Sequence, residues 1–198
     1  GMGAYSPAPV VTAEVHQKAM EQVVQRAVDG MAAEGCAYQG IVYAGLMVKD
    51  GEVKTLEFNA RFGDPECQPL LMRMKSDLVP LLLAVAEGDL SGHSIEWHDQ
   101  AAICVVMAAE GYPGDYPKGD SITGIEAAEQ LTDVTVFHAG TAEKDGRIVT
   151  AGGRVLGVTA LGNTVAAAIE RAYQGVEKIS WRGVQFRRDI GKKALGRI

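Results

Sequence analysis

A short alternating pattern in the first half of the chain carries residue types that bind metal ions and phosphate. Glu57, Asn59 and Arg61 stand two residues apart. On a β-strand this spacing places all three side chains on one face, and Leu56 and Phe58 on the other. A carboxylate and an amide are oxygen ligands that suit Mg²⁺, whose remaining positions are filled by nucleotide phosphates and water. The neighbouring guanidinium is suited to holding a carboxylate or a phosphate.

The same pattern also fits a half-solvated edge strand, because antiparallel strands commonly have one polar face. In either interpretation Leu56 and Phe58 are expected to pack in a core. Gly63, Asp64 and Pro65 then turn the chain into the next helix, with Asp64 expected at the N-cap. The spacing alone therefore leaves the metal site and the plain edge strand as alternatives.

The elements around this pattern follow from periodicity and turn residues. Thr12 is the expected N-cap of a first helix, and Asp50-Gly51 is a strong signal for a tight hairpin. The hairpin places the polar pattern on its second strand. The predicted elements of this part are a helix at 12–35, strands at 40–48 and 53–60, and helices at 65–75 and 77–88.

A polar stretch at 89–100 separates two parts of different texture, and we place a domain boundary there, giving domains at 1–97 and 98–198. The second part alternates apolar strands with turns and contains one amphipathic helix, expected to be capped by Asn163. Its pattern predicts a small α+β unit with mostly antiparallel strands. The predicted elements are strands at 101–109, 134–140, 147–153 and 153–162, a helix at 163–179, and a last strand or extended tail at 184–191.

Composition limits the classes of function. The net charge of −6 and the pI of about 5.2 give no basic footprint for nucleic acid or an anionic membrane. There is no apolar run of membrane-spanning length. The three cysteines are widely spaced and form no CxxC pair, which favours a reduced, cytoplasmic protein.

The segment EFNARFGDPE, preceded by the strand YAGLMV and a hairpin, resembles the ATP-grasp superfamily and, more narrowly, the phosphoribosylamine–glycine ligases (glycinamide ribonucleotide synthetases). Cys67 stands where that family's motif has threonine, which is a mild departure. Further segments resemble the family in its own order: GMGAYSPAPVV, MAAEG, QPLLMRMKSDL, VVMAAEGYPGDYPKGD, VFHAGT and GGRVLGVTALG. The resemblance implies an α+β fold: the C-terminal half of an ATP-grasp domain, followed by a small capping domain like a barrel-sandwich hybrid.

The resemblance implies a reaction of purine biosynthesis. ATP, glycine and 5-phosphoribosylamine would give glycinamide ribonucleotide, ADP and phosphate through glycyl phosphate. Glu57 and Asn59 match the family's metal-ligand positions, for Mg²⁺ or Mn²⁺. Arg61 is expected to hold the reacting carboxylate or the transferred phosphate.

The glycine-rich opening, which we expect to be a loop, lies inside the ATP-grasp domain in that family. The resemblance therefore implies the C-terminal part of a longer ligase, inactive by itself. Gly3, Tyr5 and Ser6, together with Asp64, are candidate substrate-binding residues, although a plain structural turn is an equal alternative. Gly45 occupies the position at which many ATP-grasp enzymes carry a further metal carboxylate, so the metal site is expected to be leaner.

Three alternatives were weighed. A non-catalytic structural module and another ATP-grasp ligase of purine synthesis, such as a carboxylase, both stay open. A biotinyl or lipoyl carrier domain is rejected, because neither Lys118 nor Lys144 lies at a tight hairpin between apolar neighbours. The two strands of the first part would leave a sheet edge and a face uncovered, so self-association is expected.

Overall fold

The computed structural model describes residues 1–196, which form a mixed α+β fold, as the sequence predicts. The helices are α1 (Ala13–Ala19), a π-helical turn (Met20–Val24), α2 (Gln25–Ala33), α3 (Cys67–Arg73), α4 (Leu78–Glu87), α5 (Ile125–Glu129), α6 (Val165–Val176) and α7 (Lys192–Leu195). The strands are β1 (Gly3–Ser6), β2 (Tyr43–Lys49), β3 (Glu52–Asn59), β4 (Ala101–Ala108), β5 (Val134–His138), β6 (Thr141–Lys144), β7 (Arg147–Thr150) and β8 (Arg154–Gly162).

A four-stranded antiparallel sheet of order β1-β4-β8-β5 forms the core. All eight residues of β4 are buried, because α6 packs against β4 and β8 and α3 also packs against both strands. Sheets that are covered on both faces select continuous apolar strands, and AAICVVMA is such a strand. Ile103 on β4 and Leu156 on β8 are among the largest fully buried side chains.

The prediction of a loop at the start of the chain is wrong, because Gly3–Ser6 form strand β1 and pair with β4. A Cβ atom on Gly3 would lie 2.7 Å from the carbonyl oxygen of Cys104 and 2.7 Å from the side chain of Ile190. Glycine is therefore required here for close approach of the backbone to its neighbours, and not for a turn. The strand adds an edge from the first part of the chain to the sheet of the second.

The predicted helix at 12–35 and the predicted hairpin are confirmed. Thr12 caps α1 by accepting a hydrogen bond from the amide of Val15 at 3.3 Å, and α1, the π-helical turn and α2 follow one another without a break. Asp50 and Gly51 join β2 to β3 with φ angles of 52° and 76°. Two successive positive φ angles are typical of the tight turn that Asp-Gly favours.

Three predictions for the second part need correction. The N-cap of α6 is Thr164 rather than Asn163, since the Thr164 hydroxyl accepts from the amide of Ala167 at 3.1 Å. The short elements α5 and β6 were not predicted, since each has only four or five residues. The segment 184–191 is the extended tail rather than a strand, and within it Gln185 forms an isolated bridge to Ala108.

The expectation that Leu56 and Phe58 pack in a core is also wrong. The exposed fractions of these side chains are 65% and 47%. Within residues 1–196 the β2–β3 ribbon has no further strand paired with it. An open cavity of about 510 Å³ lies between α2 and the end of β3, with Met31, Tyr38 and Phe58 in its lining. In the same range, no helix has both the length and the apolar character required to cross a bilayer.

We expect opposite effects from alanine at two glycines. Gly162→Ala should lower the free energy of unfolding by about 1–3 kcal/mol, because its Cβ would lie 2.3 Å from the amide nitrogen of Ala168 on α6. Gly30→Ala in α2 should raise it by about 0.5–1 kcal/mol, because nothing lies within 4 Å of the added Cβ and alanine favours helix. Urea unfolding of both variants measures the difference. Equal effects of the two substitutions would contradict the packing of α6 on β8.

Candidate active site

The predicted site residues share one face of the β2–β3 ribbon. Tyr43 lies opposite Asn59, and Gly45 lies opposite Glu57. Directly opposed residues of an antiparallel pair project to the same side. The Asn59 amide donates to Glu57 Oε1 at 3.3 Å, and Arg61 donates from Nη2 to Asn59 Oδ1 at 3.4 Å. The structure therefore brings Glu57, Asn59 and Arg61 together, as their spacing predicts.

This donor set fits a divalent metal ion. Two adjacent oxygen ligands of an octahedral Mg²⁺ lie about 3 Å apart, because each is about 2.1 Å from the ion at a right angle. Glu57 Oε1 and the terminal amide atom of Asn59 are 3.3 Å apart. Rotating the amide by 180° would bring the Asn59 oxygen to that position, and such orientations are set by the surrounding hydrogen bonds. Within residues 1–196 no cluster of three or more His, Cys, Asp or Glu side chains is suited to a metal.

Gly45 leaves room for the Glu57 carboxylate. The register of the ribbon shifts between Gly45 and Leu46, so that Glu57 lies opposite Gly45 and Thr55 lies opposite Leu46. A Cβ atom on Gly45 would come within 3.0 Å of Glu57 Cγ. The absence of a side chain at this position therefore allows Glu57 its present conformation, in addition to removing a possible ligand.

Sequence reasoning missed two residues on this face, Tyr43 and Glu66. The Tyr43 hydroxyl donates to Glu66 Oε1 at 3.4 Å. Burial raises the pKa of Tyr43, and the charges of Glu66 and Glu57 raise it further while Arg61 opposes them. Tyr43 is thus a neutral hydrogen-bond donor at physiological pH. The alternation of Tyr43 with Gly45 on β2 was the signal in the sequence that could have found it.

Asp64 does not cap α3, contrary to the expectation from sequence. The N-cap position is held by Glu66, without a side-chain cap, and the Asp64 carboxylate forms an ion pair with Arg154 Nη2 at 2.7 Å. Arg154 Nη1 also donates to the Asp64 carbonyl at 2.9 Å and to the Gly1 carbonyl at 3.2 Å. Arg154, at the start of β8, was not identified from sequence because its partners are distant along the chain.

The remaining candidates lie on β1. The Ser6 hydroxyl accepts from Arg73 Nη1 at 2.7 Å. Tyr5 and Ser6 line an open cavity of about 570 Å³ beside α3, and Glu66 and Arg73 also line it. Gly3 is outside this lining and faces β4 instead.

Comparison with solved structures places the fold. The crystal structure of a phosphoribosylamine–glycine ligase from Thermotoga maritima matches 96% of the chain with a TM-score of 0.83 and 36% identity. The biotin carboxylase domain of a 2-oxoglutarate carboxylase from Hydrogenobacter thermophilus matches 99% with a TM-score of 0.66 and 18% identity, which is a likeness of fold alone. The fold and the polar face of the ribbon define the chain as part of an ATP-grasp protein, which confirms the predicted fold class.

Two family models cover most of the sequence. Residues 1–67 match the ATP-grasp (A) domain of phosphoribosylglycinamide synthetase, and residues 102–193 match its C domain. The chain belongs to the phosphoribosylglycinamide synthetase family, as its motifs indicated.

Curated relatives agree along the whole chain. A phosphoribosylamine–glycine ligase of Escherichia coli O6:H1 is 57% identical over 199 residues, which is 100% of this chain and 46% of that protein. The Pasteurella multocida ligase is 54% identical with the same coverage. A ligase of Arabidopsis thaliana named as chloroplastic is 53% identical, with 37% of its length covered. The chain therefore spans about half the length, or less, of these relatives.

We expect Arg154→Lys to loosen β1 from the sheet. Lysine keeps the charge but cannot reach Asp64 and Gly1 with a planar fork, so the free energy of unfolding should fall by about 1–2 kcal/mol. Hydrogen exchange of the amides at 3–6 should accelerate. Arg187→Lys is the matched control, because Arg187 bonds only locally, to Asp189 two residues away. Unchanged exchange in β1 would remove Arg154 from this role.

Proposed function

We propose that this chain is the part of a phosphoribosylamine–glycine ligase that holds the metal and the reacting groups. The whole reaction joins glycine to 5-phosphoribosylamine with ATP, and gives glycinamide ribonucleotide, ADP and phosphate. The observation that carries the proposal is the contact of Glu57, Asn59 and Arg61 on one face of the ribbon. The family membership of the whole chain supports the choice of substrates.

Glu57 and Asn59 are the residues that would hold Mg²⁺ or Mn²⁺. When bound, the ion neutralises phosphate charge and so permits an anionic carboxylate to approach the nucleotide. Both residues lie on a paired strand rather than on a loop, so the separation of their oxygens is set by the backbone of β3. Gly45 helps to keep that geometry, since it leaves space beside the Glu57 side chain.

Arg61 would orient the carboxylate of glycine. Its guanidinium is anchored from Nη1 to the Phe62 carbonyl at 2.7 Å and from Nη2 to Asn59 at 3.4 Å. A guanidinium has five N–H donors, so donors remain for a substrate anion. The glycine oxygen forms a bond to the γ-phosphorus as ADP leaves. The nitrogen of 5-phosphoribosylamine then bonds to the carbonyl carbon, and phosphate leaves.

The substrate-binding candidates have separate parts in this proposal. Tyr5 and Ser6 would line the substrate cavity beside α3. Gly3 would act by letting β1 approach β4 closely, and Asp64 would act through Arg154, which fixes the turn that follows Arg61. These roles differ in their expected effects, because loss of a lining side chain changes substrate affinity and loss of a clamp also changes stability.

The two-domain division at 1–97 and 98–198 is retained as a proposal, with β1 as an exchange between the parts. Its support is the position of the two family models, which leave 68–101 between them. We place the ligase in the cytoplasm of its cell. The structural-module alternative is favoured by one observation: Glu57 and Arg61 are exposed to solvent within residues 1–196, where ionic contacts with a nucleotide are weakened.

Calorimetry of Mg²⁺-ATP with this chain tests the site directly. We expect binding that is abolished by Glu57→Gln, which removes the ligand charge at nearly constant shape. Glu143→Gln is the matched control, because Glu143 is an exposed residue on the distant hairpin of β6 and β7. Binding that survives Glu57→Gln would remove Glu57 from the metal site. No binding to the unsubstituted chain would favour the structural module for the chain alone.

A chimera tests the reaction itself. The chain replaces the matching segment of the Escherichia coli relative, with which it shares 57% identity over 199 residues. Turnover should fall by roughly 10²–10³-fold in Glu57→Gln, the range seen when one charge-stabilising group is lost. The Glu143→Gln chimera should keep full turnover. An active Glu57→Gln chimera that folds normally would contradict the assignment, and a product other than glycinamide ribonucleotide would favour the other ATP-grasp ligases.

We also propose that the isolated chain self-associates through the uncovered face of the ribbon. Leu56 and Phe58 expose 65% and 47% of their surfaces there. Light scattering should show a mass that rises with concentration, and Leu56→Ser with Phe58→Ser should reduce it. Val79→Ser, at an exposed apolar residue of α4, should not. A monomer at every concentration would contradict this proposal.

A further inference from the structure

The cavity beside α3 contains a carboxylate with no cationic partner among the described residues. It measures about 570 Å³, and Glu66 is the acidic residue of its lining. Arg73 lines the same cavity, but its guanidinium donates to the Gln100 carbonyl at 2.8 Å, to Ser6 Oγ at 2.7 Å and to the His98 carbonyl at 3.3 Å. Within residues 1–196 Glu66 takes part in no ion pair.

Glu66 also connects this cavity with the metal-binding face. Its Oε1 accepts from the Tyr43 hydroxyl at 3.4 Å, and Tyr43 lies opposite Asn59 in the ribbon. Gly63 makes room for the other oxygen, because a Cβ atom there would lie 2.5 Å from Glu66 Oε2. A single tyrosine therefore separates the cavity's carboxylate from the residues assigned to the metal.

The protonation states suit the binding of a cation. A glutamate carboxyl is ionised near neutral pH, and burial keeps the Tyr43 hydroxyl protonated by raising its pKa. The pair thus presents one negative charge and one neutral donor. The rest of the lining is largely apolar, with Ala4, Val11, Leu70 and Trp97 among its members. A lone carboxylate in such surroundings favours a small group that carries a positive charge or several N–H donors.

We propose that Glu66, oriented by Tyr43, forms a subsite for the primary amino group of a substrate. This inference rests on the proposed function, in which two substrates carry such a group. One is the ammonium of glycine, whose carboxylate would lie toward Arg61, and the other is the amine of 5-phosphoribosylamine. The shared chemistry is a primary amine that donates to the Glu66 carboxylate.

The first test uses the chain itself and needs no turnover. Methylammonium is titrated into the isotopically labelled protein, and chemical-shift changes are followed by NMR. We expect saturable shifts at 63–67 and at Tyr43 that weaken at least tenfold in Glu66→Gln. Glu87→Gln, at an exposed residue that ends α4, is the matched control and should bind as the unsubstituted chain does. Shifts that persist unchanged in Glu66→Gln would overturn the subsite.

The second test identifies the source of the amine. In the Escherichia coli chimera, Glu66→Gln should raise the KM for either glycine or 5-phosphoribosylamine at least tenfold and leave the KM for ATP unchanged. Tyr43→Phe, which keeps the ring, should raise the same KM by a smaller factor. A Glu66→Gln chimera that is folded and has neither amine KM changed would overturn the inference. An unsubstituted chimera that forms no glycinamide ribonucleotide while the chain binds methylammonium at Glu66 would instead overturn the proposed function.

Discussion

One guanidinium, that of Arg154, fixes the candidate site relative to the rest of the fold. It bonds to the side chain and the carbonyl of Asp64 and to the carbonyl of Gly1, and these groups lie in segments far apart along the chain. Because Arg61 is only three residues before Asp64, the position of the catalytic candidate is referred to β8 and not only to its own ribbon. The planar fork of arginine sets directions as well as distances, which a lysine ammonium does not.

The local part of the site was predictable because it needs only the period of a strand and a turn signal. Glu57, Asn59 and Arg61 are two residues apart, and Asp50-Gly51 closes the ribbon, so their common face follows from short-range geometry. Arg154 and Glu66 lacked such a signal. Their roles depend on partners 90 and 23 residues away, and no local pattern specifies those pairs.

The errors have one physical cause: a residue's local preference does not state what lies against it. Glycine at the start of the chain indicated a loop, but Gly3 is required by the approach of Cys104 and Ile190 to strand β1. The alternation of Leu56 and Phe58 correctly indicated an apolar face, but not what covers it. Within residues 1–196 that face is open, and the chain spans about 46% of the Escherichia coli relative.

The openness of the ribbon also bears on the chemistry. Glu57 and Arg61 are exposed, so water screens the interactions that would align two anions. An acyl phosphate is hydrolysed by water, and a ligase of this kind must therefore exclude it from the reacting groups. The described residues supply the directions of the ligands, through a paired strand and the Arg154 clamp. The low dielectric that gives those ligands their strength requires a cover over the face, so placement of the groups and catalytic strength are separate contributions to this site.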